Sequence, residues 1–270
     1  LAGVVASGAV PGETGGDLLD AASLDRRPGL GIPVADPADG LAHSTLVHLP
    51  TSGDVDETRV TLTDAVGTLE DPDETTHRRL ASFLALTAVR GTPARAADVV
   101  ERALHPYVGE ACPFATLAGF ADVLDAVARE RPGTGVALAL GHDAREAALD
   151  AWRTHGERAH RALGAATTGR YDGLFVARGA AGDLDLGETD AIPVGTVARL
   201  LRDFRSPEPV ALFVTDGEAA VASVEDRQLG ATMDAAVERV GGRAAGTSRH
   251  AQAAFETDTA SFIEAFREAL

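Results

Sequence analysis

Pro209-Val-Ala-Leu-Phe-Val214 and Ala219-Ala-Val-Ala-Ser-Val224 flank the dipeptide Asp216-Gly217. This stretch decides the fold. Two short apolar runs separated by Asp-Gly read as a β-hairpin, because the turn needs residues that tolerate positive φ. Working outward, Gly173 to Arg178 reads as a preceding strand and Val194 to Phe204 as a helix. Leu229 to Val240 reads as a helix closed by Gly241, His250 to Phe255 as an alternating strand, and Asp258 to Leu270 as a last helix capped by Asp258. The order β-α-β-β-α-β-α describes an α+β domain with a mixed sheet over residues 169–270.

Upstream, the period is helical. Asp54 can cap a helix over about 55–66, Asp71-Pro72-Asp73 opens one through about Val89, and Pro93 starts another. Pro113 begins a long helix with the stripe Phe114, Leu117, Phe120, Leu124 and Val127, and Asp143 caps a charged helix to about Ala166. Leu41 to Leu49 reads as extended, and Val136 to Leu140 as a short buried strand or a continuation of the helix before it. Residues 1–10 read as the end of a buried helix, and Asp17 as the cap of a short one. The expected division is 1–66, a helical connector 67–168, and 169–270, with an overall α/β class.

Composition limits the function. Of 270 residues, 41 are Asp or Glu and 24 are Lys or Arg, a formal net charge of −17, and all 24 cations are arginine. Excess carboxylate without lysine fits work in concentrated salt, as in a halophilic archaeon, because at about 1 M salt the Debye length is roughly 3 Å and self-repulsion fades. A GC-rich genome is the other reading, since asparagine is also absent and isoleucine occurs only at Ile32, Ile192 and Ile263. No run of about eighteen apolar residues offers a membrane span, and no secretory leader is visible. The expected location is cytoplasmic. The chain enters an apolar run directly at Leu1, and a preceding segment is expected.

Few motifs carry chemistry. Gly12 to Asp17 is glycine-rich but lacks the Gly-Lys-Ser/Thr of a phosphate loop. Cys112, the single cysteine, has no neighbour that marks a nucleophile. His43, His48 and His142 lack metal-ligand spacing and read as surface or capping residues; His155 and His160 lie on a charged helix face and read as solvated. The exception is Val240-Gly241-Gly242-Arg243-Ala-Ala-Gly246-Thr247-Ser248-Arg249-His250. Exposed N–H groups of a glycine-rich loop form an anion nest. Arg239, Arg243 and Arg249 reverse the local sign of a strongly acidic chain, which points to a phosphate partner. A helix-capping loop with solvent-facing arginines is the alternative.

Residues 169–270 resemble the DHH-associated domain of RecJ-like phosphoesterases, with Ser223-Val224-Glu225 at the Ser-x-Arg position and Gly241-Gly242, Gly246, His250, Ala251 and Ala253 at the glycine-histidine motif. Phe114 to Arg129 followed by Gly135 to Gly141 is similar to further segments of archaeal RecJ-like nucleases. Gly3 to Pro11 is similar to the last motif of the DHH catalytic domain. The resemblance implies a DHH-domain remnant, a connector and a nucleic-acid-binding domain. The activity it implies is phosphodiester hydrolysis of single-stranded DNA in repair or replication, with two Mn²⁺ or Mg²⁺ ions held by the DHH domain. The chain departs at Glu225, where the motif has Arg, and at Ser7, where it has a metal-binding Asp; no Asp-His-His occurs. No metal site is therefore expected in this chain unless an intact DHH domain precedes it. The implied nucleic-acid-binding residues are Ser223, Gly241, Gly242, Arg243, Gly246, Arg249 and His250. The implied alternatives are a non-catalytic scaffold among replication or repair proteins, and a phosphodiesterase for oligonucleotides or cyclic dinucleotides.

Overall fold

In the computed structural model the described residues are 1–6, 19, 22–69, 74–110, 112–179 and 191–270. The chain divides into two units, Leu1–Glu157 and Arg158–Leu270. The expected Asp17 and Asp71 caps and the acidic stretch 180–190 lie outside the described residues.

The first unit is mostly helical: α1 (Ala2–Ala6), α2 (Pro37–His43), α3 (Val55–Val66), α4 (Glu74–Ala88), α5 (Arg95–Ala103), α6 (Leu117–Glu130), α7 (Pro132–Ala139) and most of α8 (Arg145–Ala165). A small antiparallel ribbon joins β1 (Asp25–Arg26) to β2 (Tyr107–Val108). Asp54 caps α3 by accepting the Glu57 N–H at 2.9 Å, as its place in the sequence predicts.

Three expectations need correction. Leu41 lies in helix α2 rather than in an extended segment, because Asp36 accepts the Ala38 N–H and Pro37 occupies the first helical turn. Helix α6 begins at Leu117, not Pro113. The Thr116 hydroxyl accepts the Gly119 N–H at 2.9 Å and donates to the Ile32 carbonyl, and Phe114 packs from the preceding bend. Val136 to Leu140 is not buried: α7 has no buried residue, and Leu140 is 71% exposed. Pro132 starts this short helix and only Leu138 leans on the core.

The core of the first unit is knit by one buried carboxylate. Asp122, 3% exposed, accepts from Thr45 Oγ1 at 2.6 Å, Thr45 N at 3.1 Å and Trp152 Nε1 at 2.8 Å. It thereby ties the segment after α2 to α6 and α8. A charge so deeply placed persists only when its lone pairs are filled by donors. Helix α8 also comes very close to α2. A Cβ at Gly156 would stand 1.9 Å from the His43 carbonyl oxygen, so no larger residue fits.

The second unit holds β3 (Thr167–Tyr171), β4 (Leu174–Arg178), α9 (Val194–Leu200), β5 (Val210–Val214), β6 (Glu218–Ser223), α10 (Leu229–Val240), β7 (Gly242–Gly246), β8 (His250–Phe255) and α11 (Thr259–Ala269). A π-helical turn, Leu201–Arg205, follows α9. The strands form one mixed six-stranded sheet in the order β3-β4-β5-β6-β8-β7; only β4 and β5 run parallel. The class is α/β with a mixed sheet, as expected. The Asp216-Gly217 hairpin is present with Gly217 at φ +89°, and Gly241 ends α10 at φ +82°. The sequence reading lacks β3, a partner of β4 across Asp172-Gly173.

The central strands are covered on both faces. Helices α10 and α11 bring Leu229, Met233, Phe262 and Phe266 onto Val176, Leu212, Val221, Ala253 and Phe255. Phe255 and Phe262 stack with centroids 4.1 Å apart. The alternate residues Ala211, Phe213, Ala220 and Ala222 are buried on the opposite face, where α9 lies over β5 and β6.

Asp122→Ala is expected to lower the stability of the protein by about 3 kcal/mol, since it strands buried donors and opens a cavity. Chemical denaturation of the variant checks this, and a loss no larger than that of a surface substitution would contradict it.

Candidate nucleic-acid interface

Residues 241–250 do not form a loop. Gly241 and Gly242, at φ +82° and +145°, turn the chain out of α10, and Gly242 to Gly246 then runs as the edge strand β7, antiparallel to β8. The expected anion nest is therefore corrected to a strand edge. The glycines are there for close pairing. A Cβ at Gly242 would lie 2.3 Å from the Ala254 carbonyl oxygen, and one at Gly246 would lie 2.4 Å from the Ala251 Cβ.

Thr247 to His250 closes the β7–β8 hairpin. The Thr247 N–H donates to the His250 carbonyl at 2.7 Å. The Thr247 hydroxyl accepts from Arg249 N at 3.3 Å and lies 3.2 Å from His250 Nδ1, which orients the ring. The turn is stitched to the start of α10, because the Arg227 and Leu229 N–H groups donate to the Ser248 carbonyl and the Gly230 N–H donates to that of Thr247. This corner is thus well fixed by backbone bonds although its side chains are exposed.

Arg243, on β7, and Arg249, in the turn, are both exposed. Among the described residues neither makes a side-chain hydrogen bond or ion pair. His250 is exposed beside them. The structure thus places Gly242, Arg243, Gly246, Arg249 and His250 on one edge hairpin of the sheet, Arg243 opposite Ala254 toward its open end and Gly246, Arg249 and His250 at its turn. It does not bring in the Ser223 hydroxyl. Ser223 is next to the turn through its N–H, which donates to the Arg249 carbonyl at 2.8 Å, but its side chain is 1% exposed and its Oγ has no partner. Arg239 also leaves the cationic group, being paired with Glu268 of α11.

The histidines of α2 and α8 also need correction. His155 and His160 are 1% and 2% exposed, not solvated. Both lie on the stripe of α8 that carries Ala148, Trp152, Ala159 and Leu163, which the charge of the helix obscures. His155 Nδ1 meets Glu130 Oε1 at 2.8 Å. His43 is buried too, its Nδ1 2.9 Å from Asp39 Oδ1, with Arg153 clasping the same carboxylate. Burial works against the Asp39 charge, but the hydrogen bonds and charges of His43 and Arg153 outweigh it. They hold its carboxyl well below the usual range. Burial pushes the Cys112 thiol up, away from nucleophilic use. Among the described residues no group of three or more His, Cys, Asp or Glu could hold a metal ion.

Residues 166–268 match the family model described as the C-terminal domain of the uncharacterized protein rrnAC1427. The chain is 56% identical over 272 aligned positions to the uncharacterized protein rrnAC1427 of Haloarcula marismortui, covering all of this chain and 70% of that protein. A solved structure described as "Member of s1p family of ribosomal proteins PF0399 DHH domain" aligns with 56% of this chain at 13% identity and a TM-score of 0.39; the chain spans 42% of its length. Among the described residues no helix is long and apolar enough to cross a membrane.

A carboxyl whose folded pKa is depressed contributes stability above its unfolded value, about 4, that is lost as the pH falls toward the folded one. Asp39→Asn is therefore expected to cost stability at neutral pH and progressively less below about pH 4. Denaturation midpoints of both proteins across the acid range check this; a constant difference would refute it.

Proposed function

The chain belongs to the family of the Haloarcula marismortui protein rrnAC1427, and we propose that it is a nucleic-acid-binding protein whose C-terminal sheet grips the phosphates of a single strand. The observation that supports this is that Arg243 and Arg249 both stand exposed on one edge hairpin of a chain of net charge −17, neither engaged by another described side chain. Guanidinium groups bind phosphate through paired, charge-assisted hydrogen bonds. Such contacts matter most in concentrated salt, where counterion release contributes little. The backbone bonds that fix the Thr247–His250 turn hold Arg249 and His250 in place for a strand to meet.

The sequence resemblance to the DHH-associated domain extends this reading to a RecJ-like protein of DNA repair or replication. Mn²⁺ or Mg²⁺ belongs in that reading to a DHH domain. The described residues supply no matching set of ligands, so no hydrolytic step is assigned to them. On these residues, strand binding as a scaffold with other replication or repair proteins is the better supported form of the proposal.

Arg243→Ala combined with Arg249→Ala is expected to weaken binding of a labelled single-stranded oligonucleotide by at least about tenfold. That corresponds to roughly 1.4 kcal/mol of lost charge-assisted hydrogen bonding. Fluorescence anisotropy at constant salt measures it, and an unchanged Kd would remove this hairpin from the proposal.

A further inference from the structure

Strands β8 and β7, at one edge of the sheet, leave one face uncovered. On β8, Ala251, Ala253 and Phe255 turn into the core beneath α10 and α11, which sends His250, Gln252 and Ala254 to the other side. On β7, Ala244 packs against that same core, so Arg243 and Ala245 face outward with their register partners Ala254 and Gln252. Helix α9 lies over β5 and β6 and buries Ala220 and Ala222. It leaves Arg243, Ala245, His250 and Gln252 exposed.

The result is a shelf with a floor of two alanines, Ala245 and Ala254, and polar side chains standing around it. The floor has no bulk, so a flat group can lie on it. Gln252 offers a carboxamide with a donor and an acceptor side by side, which matches the paired acceptor and donor on the edge of a base such as adenine. The Arg243 guanidinium and the His250 imidazole are planar groups on which a base can stack. The acidic side chain on this face is Glu218 of β6, in register with Ala254 at the Arg243 end, while Gln252 and His250 have Ala220 and Ala222 as their β6 partners.

We infer that this shelf holds an unpaired nucleobase, with Gln252 as the residue that discriminates between bases. The inference rests on the reading of Arg243 and Arg249 as phosphate-binding residues and adds a base to the phosphates. A base engaged in a duplex has its pairing edge occupied and its faces stacked, so it cannot lie here. Gln252 is legible in the sequence only as the outward member of the alternation His250-Ala251-Gln252-Ala253-Ala254-Phe255.

The test uses the full chain, with fluorescence anisotropy in molar salt. The probes are oligodeoxyadenylate, oligodeoxythymidylate and an abasic strand of equal length. The wild type is expected to bind oligodeoxyadenylate about tenfold more tightly than the abasic strand. Gln252→Ala is expected to erase most of that advantage without changing abasic binding. Its circular dichroism and melting should match the wild type, because Gln252 is exposed. Equal affinity for abasic and base-bearing strands, or an unchanged ranking in Gln252→Ala, would overturn the inference. If Arg243→Ala with Arg249→Ala still weakens every probe in that case, the phosphate reading survives alone. If no probe binds the wild type, both readings fall together.

Discussion

The pairing of β7 against β8 is the constraint on which the candidate interface depends. It works only because positions 242 and 246 lack side chains: a Cβ at either would run into the neighbouring strand within 2.4 Å. With the strands that close, the Thr247–His250 turn tightens, the start of α10 bonds to it, and Arg243, Arg249 and His250 are held at one exposed edge. Glycines that in sequence suggest a phosphate-cradling loop therefore act one step earlier. They let the strand form that carries the cations.

The same segment shows what sequence can and cannot convey. The hairpin at Asp216-Gly217, the Gly241 stop and the Asp258 cap were all legible, since each depends on a local backbone or capping preference that a few adjacent residues determine. Strand β7 was not, because Gly-Arg-Ala-Ala-Gly has no strand propensity of its own and is extended only because β8 pairs with it. Ser223 fails for a related reason. Its place in a motif says nothing about which face of β6 it occupies, and the register with Val210 points it into the core. Arg239 was lost to Glu268, a contact between helices that sequence spacing does not reveal.

Along α2 and α8 it is the polar residues whose type misleads. His43, His155 and His160 look like surface groups by type, yet each is buried. The helical period on α8 carries the needed information, with Trp152, His155, Ala159 and Leu163 on one side. What it cannot supply is the partner of His155, Glu130, which comes from another helix, whereas Asp39 stands one turn before His43 in α2. Asp122 belongs to the same group. Its three donors come from two residues far apart in sequence, Thr45 and Trp152, which meet at it only when α6 and α8 are packed.

Of the sixteen buried positions on the strands of the second unit, seven are alanine: Ala177, Ala211, Ala219, Ala220, Ala222, Ala251 and Ala253. Methyl groups offer little apolar area, so each gains less from leaving water than a leucine would. A domain of this kind draws more of its cohesion from the medium, because solutes excluded from protein surface make compact states more favourable. Dilution of such solutes loosens a thin interior sooner than a thick one. The stability of this sheet is in that sense a joint property of the polypeptide and the solution around it.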